Sequence, residues 1–139
     1  MRKAIKTISS DLIKFIPKAH AEDKALSETA KELKDRPLVF MVRKMTREHR
    51  FNLGSLLDIR KASGQDSLTV GNLGTASRYI WESCVVSVKN VLTDEGEFEE
   101  VKGDQKNALF NTTGIDNEIT ECVKHIQDIS TLDEAETKN

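Results

Sequence analysis

Two short apolar runs stand near the start of the chain, at 11–16 and 37–43. Pro17 directly follows the first run, and the second run combines β-branched with aromatic residues. Runs of this length and composition are typical of strands and are too short for an ordinary helix. We therefore predict two strands that pair antiparallel, joined by a polar, mobile connection at 18–36 that has no apolar face.

Later in the chain, apolar residues recur at the three- and four-residue spacing of a helix face. The first such segment follows Thr46, a residue type that caps helices, and carries Glu48 in its first turn. The predicted helices lie at about 47–61, 69–91 and 115–130. Together with the strand pair, they indicate a predominantly helical α+β fold in a single domain over 1–139, with a flexible tail at 131–139.

An acidic turn around Gly96 follows the second predicted helix. Between this turn and the next glycine, the only strongly apolar residues are Phe98 and Val101. This segment is therefore predicted to form a hairpin or an irregular arm that lies outside the core.

The last predicted helix carries five apolar residues at alternating spacings of four and three. They are Ile115, Ile119, Cys122, Ile126 and Ile129. This is the a/d spacing of a heptad, which gives a narrow apolar seam rather than a broad apolar face. The seam can pack on the helix that carries Trp81 within one monomer, or it can form a contact between subunits of a homo-oligomer.

The composition is that of a folded domain, with 37% hydrophobic and 32% charged residues in a chain of 139. Charged residues interrupt every apolar run, so no segment approaches the roughly 18 apolar residues of a membrane-spanning helix. They also interrupt the N-terminal segment, which therefore does not resemble a secretory signal. We expect a soluble cytoplasmic protein in which Cys84 and Cys122 are buried thiols rather than a disulfide.

Charge is distributed unevenly along the chain. Residues 1–61 contain 15 basic and 8 acidic residues, a net charge of +7, whereas residues 62–139 contain 6 basic and 15 acidic residues, a net charge of −9. A basic half can bind nucleic acid, but the two halves can also neutralise each other within the fold or associate head to tail between copies. Because the basic residues are scattered, we do not expect nucleic-acid binding.

The densest basic cluster is a candidate site for an acidic partner. It contains Arg43, Lys44, Arg47 and Arg50, at the junction of the second strand and the first helix. The partial positive charge of a helix N-terminus adds to that of the cluster. A helix-turn-helix motif is disfavoured because the helix that follows is apolar and neutral.

Candidate catalytic chemistry is absent from the sequence. The three histidines lie far apart, and neither a nucleotide-binding glycine motif nor a metal-binding Cys or His spacing occurs. We therefore predict that the protein is not an enzyme and that it takes no cofactor and no metal.

Taken in order, four segments resemble the tail assembly chaperones of long-tailed, siphovirus-type bacteriophages. They are residues 13–18, 40–48, 88–91 with the turn at Gly96, and 118–139. Together these segments span most of the chain. At Lys44 the sequence departs from the family pattern, which usually has a proline at that position.

The resemblance implies a non-enzymatic assembly factor made in the cytoplasm of the infected bacterium. Such proteins bind the long helical tape measure protein, recruit major tail protein subunits, and are normally absent from the mature virion. In that family a ribosomal frameshift often extends some copies with a second domain. Two other functions are compatible with the residues: a permanent component of the phage tail or head-to-tail connector, and a nucleic-acid-associated regulator.

Overall fold

The computed structural model of the chain describes the backbone of residues 12–62, 70–112 and 114–137. Within these ranges, side chains are described at 12–55, 74–112 and 114–130.

The described residues form a four-stranded antiparallel sheet and five helices. The strands are β1 (Ile13–Phe15), β2 (Val39–Val42), β3 (Val85–Thr93) and β4 (Gly96–Lys102), in the spatial order β1-β2-β3-β4. The helices are α1 (Lys18–Glu22), α2 (Arg47–Ala62), α3 (Val70–Cys84), α4 (Gly103–Ala108) and α5 (Asp116–Thr137), with 3-10 turns at Leu33–Asp35 and Leu109–Asn111. The backbone of α5 is helical through most of the tail predicted at 131–139.

The predicted fold class is wrong, because the strands are spread through the chain and are not limited to an N-terminal pair. The first two strands do pair antiparallel, with Ile13 opposite Val42. However, β2 also pairs with β3, and β3 pairs with β4. The helix predicted at 69–91 ends at Cys84, and the residues that follow form the longest strand of the sheet.

The error at β3 has a local cause in two backbone irregularities. Val85, Val88 and Val91 all face the core at a three-residue spacing that imitates a helix. The pairing with β2 shifts by one residue near Val86, and such a bulge rotates the strand that follows it. Asn90 then takes a φ of 62°, a left-handed conformation that asparagine tolerates better than most residues. The bulge adds one residue to the usual alternation of a strand, whereas the pairing with β4 keeps its register on both sides of Asn90.

The hairpin formed by β3 and β4 also corrects the sequence prediction. Val101 is only 5% exposed and pairs with Val88 in the middle of the sheet. Helix α4 packs against both strands of the hairpin. Val101 of the segment predicted to lie outside the core is therefore part of it, while the other residues of β4 are exposed or half-buried.

The main core lies between the sheet and helices α3 and α5. Trp81 is at its centre, completely buried, with its ring 5.8 Å from that of Phe40 in an edge-to-face arrangement. Ile80 and Cys84 from α3 are also fully buried in this cluster, together with residues of α5. Burial of large apolar and aromatic side chains provides most of the stabilisation of such a core.

The connection predicted at 18–36 contains α1 and a 3-10 turn. Its residue Leu33 is buried, and this turn packs against β3 and β4. Val39 is buried outside the main core cluster, as expected for a residue that alternates with Phe40 on β2. This otherwise polar segment therefore contributes one apolar residue, Leu33, to the covering of the sheet. The polar composition of the segment gave no indication of this contact.

The direct passage from α3 to β3 depends on two cations. The last four carbonyl groups of a helix lack partners within the helix. Here Lys106 Nζ donates to the carbonyls of Trp81 (2.9 Å) and Glu82 (3.4 Å), and Arg43 donates through Nε and Nη2 to that of Ser83 (2.9 and 2.7 Å). The Arg43 backbone N–H donates to the carbonyl of Cys84. Positive charge at this end also complements the helix dipole.

We expect the substitution Arg43→Met to lower the free energy of unfolding by about 1.5–3 kcal/mol, the usual contribution of hydrogen bonds from a charged group. The methionine keeps most of the aliphatic packing but leaves the Ser83 carbonyl without its donor. Urea unfolding followed by the fluorescence of the single tryptophan, Trp81, measures the change. Arg47→Met is the matched control, because Arg47 is exposed and its loss should change stability by less than about 0.5 kcal/mol. Equal effects of the two substitutions would contradict the capping role.

Candidate functional site

The five seam residues predicted on the last helix lie against the interior of the chain. Ile119, Cys122 and Ile126 are buried in the main core, and α5 packs on α3. Ile115 and Ile129 are half-buried, and Ile115 also packs against the core. The spacing allowed packing within one monomer or a contact between subunits. The structure contains the packing within one monomer, on the helix that carries Trp81.

Both cysteines are free and buried. Burial raises the pKa of the Cys84 thiol to about 11, although the positive charges of Arg43 and Lys106 oppose the shift. Burial also raises the pKa of Cys122, with a further contribution from the negative charge of Glu121. Since the thiolate is the reactive form, both side chains are held in their unreactive state near neutral pH.

The predicted basic cluster does not form one surface. Arg43 is half-buried and holds the C-terminal end of α3. Lys44 and Arg50 are half-buried, whereas Arg47 is exposed at the first position of α2. The structure therefore gives the four cations different environments, although they are close in sequence.

His49 is a structural residue at the start of α2. Its Nδ1 accepts a hydrogen bond from the Thr46 backbone N–H (3.1 Å), while Thr46 Oγ1 accepts one from the His49 backbone N–H (3.2 Å). Thr46 thus acts as the predicted helix cap. Burial lowers the pKa of His49, and the nearby charge of Arg43 lowers it further, so the neutral ring that accepts this hydrogen bond is favoured. Nδ1 also lies 3.8 Å from Sγ of Cys84, which fixes this end of α2 beside the start of β3.

Lys106 is the most deeply buried cation among the described side chains, at 3% exposure. Its Nζ lies 5.5 Å from the centre of the Trp81 ring, and the Trp81 indole N–H donates to the Lys106 carbonyl (3.1 Å). Burial lowers the pKa of Lys106 to about 8. With both of its hydrogen bonds directed at backbone carbonyls, this lysine joins α4 to the end of α3.

The most exposed large apolar side chain described is Phe51 on α2, at 73% exposure. It lies one helical turn after Arg47, which is also exposed, so the two side chains share a face. We call Arg47 and Phe51 the Phe51 patch. An aromatic ring beside an arginine at the surface is a frequent composition of protein-binding sites.

An open groove of about 410 Å³ lies between the β3–β4 hairpin and α4. Its apolar lining is Val91, Phe98, Val101, Ala108 and Leu109, and its polar lining is Thr93, Asp94, Glu95, Gln105 and Thr112. Phe98 is 39% exposed, opposite Val91 in the hairpin. We call this feature the hairpin groove.

The hairpin groove has an acidic rim. Asp94 and Glu95 form the exposed turn at its edge. An apolar lining with an acidic rim is complementary to an apolar side chain that is flanked by Lys or Arg. The Phe51 patch, in contrast, has an exposed residue of each sign one turn before Phe51, namely Arg47 and Glu48.

These two surfaces lie at opposite ends of β3. His49, two residues before Phe51, contacts Cys84, which directly precedes β3. Asp94 and Glu95 directly follow the last residue of β3. The strand has nine residues, so its ends are separated by at most about 26 Å at about 3.3 Å per residue.

A second depression, of about 580 Å³, is polar and carries both signs of charge. It is formed by the 3-10 turn at Leu33–Asp35 and by Glu97 and Glu99 of β4. The Arg36 guanidinium lies 3.8 Å from the Glu99 carboxylate and donates through Nε to the Ala30 carbonyl. The charges in this depression are largely paired with one another, so these ion pairs hold the connection at 18–36 against the sheet.

Sequence reasoning missed both candidate surfaces. Phe51 lies outside the apolar stripe of its helix, and a large apolar residue away from the stripe was the available signal. For the hairpin groove, the acidic turn around Gly96 indicated a hairpin or an irregular arm, but the sequence did not indicate that α4 would pack beside it.

Where side chains are described, no group of three or more His, Cys, Asp or Glu residues is arranged to hold a metal ion. None of the described helices is both long and apolar enough to cross a membrane. Comparison with protein-family models, curated proteins and solved structures finds no match to the chain.

Proposed function

We propose that the chain is a non-enzymatic tail assembly chaperone of a long-tailed bacteriophage. In this proposal it binds the tape measure protein and recruits major tail protein subunits in the cytoplasm of the infected host, and it leaves before the virion is complete. The observation that carries the proposal is the pair of exposed apolar surfaces at opposite ends of β3, the Phe51 patch and the hairpin groove.

Two separate surfaces suit a protein that brings two others together. A separation of roughly 26 Å along the nine residues of β3 allows two partners to bind at opposite ends of the strand at the same time. The two surfaces favour different partners, because only the groove has an acidic rim, and like charges that face each other disfavour the wrong partner. The groove is suited to the apolar side chains of a helix with basic flanks, and the patch is suited to an apolar pocket that receives Phe51.

The roles of the buried ionisable residues support a binding function rather than catalysis. Arg43 and Lys106 donate to the carbonyls at the end of α3, and His49 accepts a hydrogen bond at the start of α2. The raised pKa of Cys84, about 11, disfavours its thiolate. Each group therefore stabilises the fold, and the chemistry left at the surface is apolar area and charge.

The resemblance to the chaperone family adds a second line of support. Three of its segments coincide with elements that build the fold, namely β1, β2 with the start of α2, and α5, whereas residues 88–91, which resemble a helix end in that family, lie in β3. A resemblance within elements that build the fold is evidence about the architecture of the chain. It is not evidence about its partners, which must be tested directly.

The test is co-purification of the tagged chain from cells that also express the neighbouring tail genes, with purified virions probed in parallel. We expect the wild-type chain to capture the tape measure protein and major tail protein, and to be absent from virions. Phe98→Ser and Phe51→Ser should each lose one of the two partners. Leu92→Ser is the matched control, because Leu92 is 61% exposed in the same hairpin but does not line the groove.

Two results would overturn the proposal. If the folded chain captures neither partner, the proposal loses its basis. Presence in virions at a fixed copy number identifies the chain instead as a permanent component of the tail or of the head-to-tail connector.

A further inference from the structure

We propose that His49 is an acid-sensitive switch at the N-terminal end of α2. The histidine occupies the position of a capping box that Glu or Gln usually takes, and protonation removes its role as a hydrogen-bond acceptor. The switch acts on the helical turn that leads into Phe51. It concerns the chain alone and does not depend on the proposed function.

The start of α2 has the geometry of a capping box. In this motif the side chain of the cap residue accepts a hydrogen bond from the backbone N–H of the third helical residue, whose own side chain accepts one from the backbone N–H of the cap residue. Thr46 is the cap residue, since its carbonyl accepts the first helical hydrogen bond, from the Arg50 N–H (3.0 Å). Thr46 Oγ1 and His49 Nδ1 accept the two reciprocal hydrogen bonds, at 3.2 and 3.1 Å.

The hydrogen bond at Nδ1 determines the protonation state of the ring. A backbone N–H can only donate, so Nδ1 of His49 must present its lone pair to Thr46, and the ring proton must lie on Nε2. A protonated ring carries N–H groups on both nitrogens, which places two donors against each other. It also brings positive charge into the first turn of α2, where the helix dipole is already positive. Protonation therefore removes one half of the capping box and adds repulsion.

The groups around the ring come from three parts of the fold. The charged groups that act on it are Arg43, directly after β2, and Glu48 of α2. From α3, the Tyr79 ring lies edge-on at 6.3 Å, and Sγ of Cys84 lies 3.8 Å from Nδ1. Burial and the charge of Arg43 lower the pKa of His49 below its ordinary value of 6.5, whereas Glu48 opposes the shift. Burial raises the pKa of Cys84 to about 11, so this neighbour stays a neutral thiol in acid.

The lowered pKa gives the pH dependence a definite sign. Because the folded chain binds the His49 proton less tightly than the unfolded chain does, acid favours the unfolded chain. The contribution of the histidine is complete above pH 6.5, where the ring is neutral in both states, and it decreases as the pH falls from 6.5 toward the pKa of the folded chain. The loss weakens the first turn of α2, and Phe51 lies two residues after His49.

The first experiment compares the wild type with His49→Gln and His49→Ala. Urea unfolding is followed by the fluorescence of Trp81 at neutral pH (about 7.5) and at acid pH (about 5), on either side of the expected transition. Glutamine keeps an acceptor for the Thr46 N–H at both pH values, and alanine has none at either. The three chains share His20, whose Nδ1 accepts from the Leu38 N–H (3.1 Å), so its contribution cancels in the comparison.

The wild type is expected to change from the behaviour of one variant to that of the other. Its unfolding equilibrium constant should lie within about twofold of that of His49→Gln at neutral pH and exceed it by about fivefold at acid pH, the usual effect of a lost helix cap. His49→Ala should exceed His49→Gln by about fivefold at both pH values. A ratio of wild type to His49→Gln that is the same at the two pH values would overturn the proposal.

Nuclear magnetic resonance gives a readout that a histidine with only a packing role would not change. In the folded wild type, the His49 ring should carry its proton on Nε2 at neutral pH and titrate with a midpoint below 6.5. The Thr46 amide resonance should shift with the same midpoint, because its acceptor is lost. In His49→Gln the Thr46 amide should keep its position over this range. A Thr46 amide that does not titrate in the wild type, or a ring midpoint above 6.5, would contradict the switch.

Hydrogen exchange locates the loosened segment. At acid pH, a peptide that covers residues 46–51 should exchange faster in the wild type than in His49→Gln, whereas at neutral pH the two chains should exchange at the same rate. The hairpin formed by β3 and β4 is the internal control and should exchange equally in both chains. Equal exchange of residues 46–51 at acid pH would show that the turn keeps its order, and it would overturn the proposal.

Discussion

The substitution Trp81→Ala is expected to lower the free energy of unfolding by about 3–5 kcal/mol, the usual range for removal of a large buried aromatic side chain. Trp81 is completely buried, and its ring lies 5.8 Å from that of Phe40 and 6.4 Å from that of Phe110. Alanine leaves a cavity between the sheet and α3, and it removes the donor to the Lys106 carbonyl. A loss of this size is a large part of the total stability of an ordinary domain, about 5–15 kcal/mol.

Trp81→Phe separates the two contributions. Phenylalanine keeps most of the apolar volume but cannot donate to the Lys106 carbonyl, so we expect a smaller loss of about 1–3 kcal/mol. Because both variants lack the only tryptophan, urea unfolding is followed by far-ultraviolet circular dichroism rather than by fluorescence. If alanine costs no more than phenylalanine, the cavity contributes little to the loss of stability, and the missing hydrogen bond accounts for most of it.

Local patterns sufficed for the elements whose periodicity is undisturbed. Helix α2 occupies Arg47–Ala62 and begins after the Thr46 cap that the sequence indicates. The two N-terminal strands pair in the predicted direction, because each is a short apolar run between polar residues. In these cases residue type, spacing and boundary signals all favour the same structure.

Local patterns failed where the irregular backbone changed the spacing. In β3, the bulge near Val86 and the left-handed Asn90 give the core-facing valines a helical spacing. The boundary at Cys84 has no glycine or proline to mark it, because cations from distant parts of the sequence hold the carbonyls at the end of α3. Arg43 and Lys106 are 41 and 22 residues away from Cys84 in sequence, so no local window contains the cause.

The candidate surfaces depended even more on tertiary structure. A count of charges showed the basic and acidic halves of the sequence. However, the four cations of the predicted basic cluster, which are close in sequence, have different roles, with Arg43 half-buried and Arg47 exposed. The hairpin groove requires α4 to pack beside β3 and β4, and Lys106 joins the same helix to the end of α3. The uneven distribution of charge was visible in the sequence, while packing determined which residues reach the surface.

The substitution Ile126→Asp is expected to unfold the protein or to cost at least about 4 kcal/mol, because it places an unpaired carboxylate in the apolar core. Ile126 is completely buried on α5, in contact with the cluster that contains Trp81. Its carbonyl also accepts a hydrogen bond from Ser130 Oγ (2.7 Å), which in turn accepts one from the Met45 backbone N–H (3.0 Å). Displacement of α5 therefore also disturbs the segment that leads into α2.

Two comparisons make this result specific to burial. Gln127→Asp adds the same charge at the next position of the same helix, where the side chain is exposed, and should leave stability within about 1 kcal/mol of the wild type. Ile126→Asn introduces a polar group of similar size without the charge, so its smaller loss measures the cost of polarity alone. Circular dichroism and sedimentation velocity together distinguish loss of fold from loss of assembly. A folded Ile126→Asp variant with reduced assembly would mean that the seam of α5 contacts another subunit, whereas loss of the folded state locates the function of Ile126 in the core.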